Sequence, residues 1–339
     1  MKINYTSQLI RILGYSIIAI TFVFLINNLL TNWYDWPGIK KLYSHYELFG
    51  FKKLNKPLEG TAITYCYIQF LLYLVSIFSV IFYVFRTPKQ NLNKDSKILA
   101  SVSAYIIRTA FWTVFILGLV DLIISFLAVE RFLDVIFNKE IKFKLIAPEF
   151  RITFIHLPLI LVSLIIGFFT RTTGFIWLAV LVVFSEFTIV LSRFIFSYEQ
   201  AFQGDLVRFW YAALFLFASA YALIHEGHVR VDVLYTRFSE SKKAWTNTIG
   251  SSILGIPLCL SIIFLGMSSK ASIINSPLLS FEITQQGSNG LYLKYLMAAY
   301  LAIFAVSMLI QFTSYFMSNS YKIIENFNQK VASEYNFKR

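Results

Sequence analysis

Charged side chains are few: Asp, Glu, Lys and Arg make up 14% of the 339 residues, against about 25% in soluble domains. A chain this size with so little charge cannot cover a soluble surface. Cysteine is scarcer still, with only Cys66 and Cys259, both inside apolar runs. Two small buried thiols give no disulfide framework and no zinc site. There are four histidines, of which His225 and His228 stand three apart beside Glu226. A metal needs three or four ligands of fixed geometry, and no other Cys or His lies near them in sequence. Only His156 sits well inside an apolar run, so matched axial ligands for a b-type haem are lacking. The glycines are scattered, and no phosphate-cradling loop, nucleophile elbow or paired-carboxylate arrangement stands out. No cofactor is expected.

What the sequence has in quantity is apolar surface, with 57% hydrophobic residues and a mean hydropathy of +0.64. This is the composition of an all-α integral membrane protein. A spanning helix needs roughly 20 predominantly apolar residues, and about eight stretches qualify: 10–30, 62–85, 103–129, 153–169, 175–196, 206–224, 249–266 and 291–316. The fourth is short and contains His156 and Pro158. The first follows Lys2 and Arg11 but is longer than a signal-peptide core and lacks a small-residue cleavage pattern, so it is expected to be retained.

The net charge of +12 does not point to nucleic acid, because the basic residues lie in short loops between apolar runs. They act as topology signals instead. In the second half, residues 225–248 carry Arg230, Arg237, Lys242 and Lys243, and the tail carries Lys322, Lys330, Lys338 and Arg339. Residues 197–205 carry none, and 267–290 only Lys270. Both termini are therefore expected in the cytoplasm, and the basic loop 86–97 agrees. Loops 31–61 and 130–152 disagree, each holding five Lys or Arg on the expected outer side. Trp33, Tyr34 and Trp36 before Pro37-Gly38, and Trp177, Trp210 and Trp245 near span ends, fit interfacial anchors.

The sixth span runs into a polar segment, Glu226-Gly-His-Val-Arg-Val-Asp232. If helical, Glu226 and Arg230 are four apart in the favourable order, as are His228 and Asp232. If extended, His228, Arg230 and Asp232 share one face. The charges compensate one another in either case. AxAYAL followed by EGHVRVDVLY resembles the signature of the small membrane subunit, of DctQ type, of tripartite ATP-independent periplasmic (TRAP) transporters. The similarity covers residues near 173 to near 316, with Ser192-Arg193-Phe194 closing the preceding helix and Lys242-Lys243-Ala244-Trp245 introducing the next. The resemblance implies a four-span DctQ-like core at 171–320, preceded by a four-span transmembrane extension at 1–170 and followed by an amphipathic cytoplasmic tail at 321–339. It implies a small permease subunit that scaffolds a large membrane subunit and works with a periplasmic solute-binding protein. Import of organic acids is implied, with sodium coupling in the large subunit, at the bacterial inner membrane. Membrane lipid is a further partner, nucleic acid is not, and no enzyme activity is implied. Two other classes stay open: a membrane enzyme using Glu226, His228 and Asp232 as acid and base, and a homo-oligomeric membrane protein.

Among the ionisable residues inside expected spans are Arg108 and Asp121 in the third and Glu186 and Arg193 in the fifth. Such groups are unfavourable in the bilayer and call for partners. Pairing Arg108 with Glu186 and Asp121 with Arg193 would neutralise all four and dock the extension on the core; the alternative is local pairing or snorkelling. The loop at 272–290 is expected either to lie as an ordered interfacial segment or to meet a soluble partner.

Overall fold

The computed structural model describes residues 5–171, 175–224, 235–283 and 290–337. Among these the regular structure is entirely helical. The long helices are α1 (Tyr5–Trp33), α2 (Thr61–Arg86), α3 (Leu92–Val129), α4 (Pro148–Phe169), α5 (Phe175–Phe196), α6 (Ala201–Ile224), α7 (Glu240–Gly266) and α8 (Lys294–Phe337). Within the described residues, α1 to α5, α7 and α8 each contain a stretch long and apolar enough to cross a membrane. The chain is an all-α multi-pass membrane protein. The remaining helix, α6, has 24 residues and spans about 36 Å. It fills the place of the sixth expected span, with Gln203, Asp205 and Arg208 in its first turns.

Local chemistry sets the helix starts. The Asn91 side chain accepts a hydrogen bond from the Lys94 backbone N–H at 2.8 Å, and Asp95 adds an acid to the first turn of α3. Both features satisfy or complement the free N–H groups of a helix N-terminus. This cap lets α3 begin at Leu92, eleven residues before the apolar run at 103. Ser239 caps α7 in the same way. In α4 and α7 a proline falls inside the helix, Pro158 and Pro257. Each follows a π-helical turn, Ile152–His156 and Gly250–Gly255. Proline lacks the N–H and crowds the carbonyl four residues back, and a widened turn lets the helix pass that point unbroken.

α8 is the axis of the bundle. α7 and α3 pack along it most extensively, α6 lies against it on another side, and α1 also contacts it. Hydrogen bonds along the α3–α8 seam fix its direction. Ser314 Oγ donates to Ser96 O (2.7 Å), Ser103 Oγ to Ser307 O (3.0 Å), and Ser125 Oγ to Gly290 O (3.3 Å). One residue number falls as the other rises, so the helices are antiparallel. α4 covers the outside of α3, α2 packs on α1, and α5 packs on α6. α5 is the outermost of these, with Ile176 80% and Phe194 88% exposed, as an apolar helix facing lipid should be.

The apolar core gathers where α3, α6 and α8 meet, around Val114, Leu117, Trp210, Phe217 and Tyr300. Gly118 permits the close approach of α3 to α6: a Cβ there would stand 2.5 Å from Trp210 Nε1. Trp210 Nε1 itself donates to Val114 O at 3.3 Å. The last helix continues through the tail without a break, so the expected surface helix from residue 321 is the end of a 44-residue α8.

Candidate functional site

Two buried polar clusters stand at opposite ends of the bundle. At the end where α1 begins, Arg11 is 1% and Asp95 0% exposed. Arg11 Nε donates to Asp95 Oδ2, and its two other nitrogens to Thr87 O (2.8 Å) and Thr87 Oγ1 (2.7 Å). Tyr15 Oη donates to the other Asp95 oxygen at 2.9 Å. One planar guanidinium thereby ties α1 to the turn between α2 and α3. Its fork supplies several donors in fixed directions, which a lysine cannot do.

At the other end Asp121 is fully buried with Arg151 and His156, each 0% exposed. Asp121 Oδ1 accepts from Arg151 Nη1 at 2.8 Å and is 3.2 Å from His156 Nε2. Its Oδ2 accepts from the Tyr292 backbone N–H at 2.7 Å. An ionised carboxylate only accepts, so His156 Nε2 donates to it, and His156 Nδ1 lies 3.0 Å from Tyr295 Oη. Arg151 also donates to Leu145 O (2.9 Å) and Ser125 Oγ (3.2 Å), and its carbon lies 3.8 Å from the centroid of the Tyr292 ring. That contact is a cation–π interaction in a desolvated setting. The Nη2 atom of Arg151 is buried without a hydrogen-bond partner among the described residues.

The cluster joins three parts of the chain: α3 through Asp121 and Ser125, the start of α4 through Arg151 and His156, and the entry to α8 through Tyr292 and Tyr295. Arg151 and His156 are five apart and would lie roughly 140° apart on an α-helix. The π-turn between them brings both onto the face that meets Asp121. All polar groups of this cluster are enclosed by protein. It can hold the segment before α8 against the first half of the chain, and its enclosure gives no access to a substrate.

The expected cross-helix pairs do not form. Asp121 meets Arg151 and His156, and Arg108 Nε donates to Gly167 O of α4 at 3.3 Å. Arg193 pairs with Glu199 in the turn before α6. Glu186 is exposed on α5 and has no partner among the described residues. The physical reason is the position of α5, which packs on α6 and not beside α3. Glu226, His228, Arg230 and Asp232 lie outside the described residues. Arg151 was not legible from the sequence because it sits outside the apolar runs, and Tyr292 and Tyr295 were not because they are uncharged residues at the start of the run at 291–316. The need of Asp121 for a partner was the one signal toward them.

Residues 179–321 match the family described as "Tripartite ATP-independent periplasmic transporters, DctQ component". The match covers somewhat under half of the chain, from α5 into α8, and leaves α1 to α4 outside. No curated protein and no solved structure matched the chain.

Proposed function

Residues 179–321 match the DctQ component of tripartite ATP-independent periplasmic transporters, and from that match we propose that the chain acts as the scaffold subunit of such a system. The observation that carries the reading is the position of the matched segment. Its last helix, α8, is the axis on which both halves of the bundle pack, and buried ion clusters brace the two ends of the first half. A body tied in this way suits a fixed support beside a moving partner. The partner is a large membrane subunit that carries the solute, supplied by a periplasmic solute-binding protein.

Under this reading the membrane is the bacterial inner membrane, both termini face the cytoplasm, and the Asp121 cluster lies toward the periplasm. The transported solutes are organic acids, and sodium coupling belongs to the large subunit. The segment from Glu226 to Asp232, with His228 and Arg230, lies at the cytoplasmic mouth of α6 and contacts that subunit. Arg108, Asp121, Glu186 and Arg193 have structural roles, the first two within the bundle and the last two at the outer helix. The units of the chain are the extension at 1–170, the core at 171–320 and the tail at 321–339.

Replacing Arg230 and Asp232 together tests the proposed contact. Uptake into cells is expected to fall to background while the variant still inserts in the membrane. Uptake at the normal rate would remove this segment from the mechanism.

A further inference from the structure

A cleft of about 400 Å³ opens between α6, α8 and the short helix Asn275–Leu279. α6 and α7 each pack on α8 without extensive contact with each other, so this side of α8 is left open. Phe209, Met297 and Leu301 form apolar walls. Leu301 is seven residues beyond Lys294, which sets it about 10 Å deeper along α8. Charges of both signs stand at the mouth. Lys294 Nζ donates to Glu282 Oε1 at 2.5 Å, and Arg208 Nη1 is 3.8 Å from Asp205 Oδ1. Asp205 Oδ2 also accepts from the Leu291 backbone N–H at 3.3 Å. Arg208 is 67% exposed and Lys294 34%, so both cations keep donors toward the opening.

We propose that this cleft binds a phospholipid whose headgroup is a zwitterion with a primary ammonium, such as phosphatidylethanolamine. The four charges at the mouth sum to zero, which matches a neutral zwitterion and gives an anionic lipid no net attraction. Arg208 and Lys294 take the phosphate, since both are donors without acceptor capacity. Glu282 and Asp205 accept from the ammonium, a bond that a trimethylammonium cannot donate. The apolar walls receive the first part of one acyl chain. The site lies near the end of α6 and α8, where an amphiphile presents its polar part to water and its tail to the helices.

Native mass spectrometry of the full chain in mild detergent tests this, using phosphatidylethanolamine, phosphatidylcholine and phosphatidylglycerol with identical acyl chains. The ethanolamine lipid is expected to bind about tenfold more tightly than either of the others. Replacing Glu282 and Lys294 together with Gln should abolish that preference. Arg208→Gln alters an exposed side chain, so it should keep the fold and weaken retention of the ethanolamine lipid. Equal retention of the three lipids, preference for the glycerol lipid, or an unchanged preference in both variants would each overturn the proposal. The readout uses the chain alone, so it is independent of whether a large subunit is found.

Discussion

Removing the carboxylate of Asp121 leaves the buried cation of Arg151 with Ser125, Leu145 and a ring face as its remaining neighbours. Breaking a buried ion pair from one side costs about 3–5 kcal/mol, whereas replacing both partners with apolar groups is close to neutral. Asp121→Asn is therefore expected to lower stability by that amount. Asp121→Leu combined with Arg151→Met should recover most of it, with unfolding of the purified chain in detergent as the measurement. At Gly118 a Cβ would meet Trp210, which is 1% exposed. Overpacking of that kind costs about 1–3 kcal/mol, so Gly118→Ala should unfold earlier than the parent in the same assay. The sequence made Asp121 conspicuous, because an acid inside an apolar run needs a partner. It hid the partner because Arg151 looks like a loop residue and because a five-residue spacing puts Arg151 and His156 on different faces of an ordinary helix.

Among the elements, α4 carries the sharpest consequence. A proline in a helix interior costs about 3 kcal/mol relative to alanine, so Pro158→Ala would stabilise a plain helix. In α4 the π-turn at Ile152–His156 precedes Pro158 and sets the direction of Arg151 and His156. Relaxation of that turn to α geometry would rotate the helix start by about 100°. The variant is thus expected to melt below the parent, and a higher melting temperature would detach the turn from the ion cluster. Hydropathy located the apolar part of each span, including α5 at Phe175–Phe196. It could not see the polar starts of α3 and α7, which are set by the Asn91 and Ser239 caps, nor the continuation of α8 through its amphipathic tail. It also could not place α5 relative to α3, because order along the chain does not specify neighbours in a bundle.

At the scale of the molecule, the first and second halves share one seam. The hydrogen bonds from Ser103 to Ser307 and from Ser314 to Ser96, together with Asp121 on Tyr292, cross from α3 to α8 or its entry. Chains 1–170 and 171–339 produced as separate polypeptides in one cell should therefore copurify. Residues 171–339 alone should lose compactness, since α3 would no longer cover α8; a stable, monodisperse fragment would show that the seam is dispensable. The resemblance of the second half to the DctQ component was legible from one short motif, whereas the lock between halves depends on packing that no motif encodes.

Under the proposed function the chain works as one fixed component of a larger transporter. The most direct test of this is a mild-detergent pull-down of the tagged chain from its native membrane, with the copurifying proteins identified. A large multi-span membrane protein is expected in fixed ratio. Recovery of the chain by itself, intact and monodisperse, would contradict it.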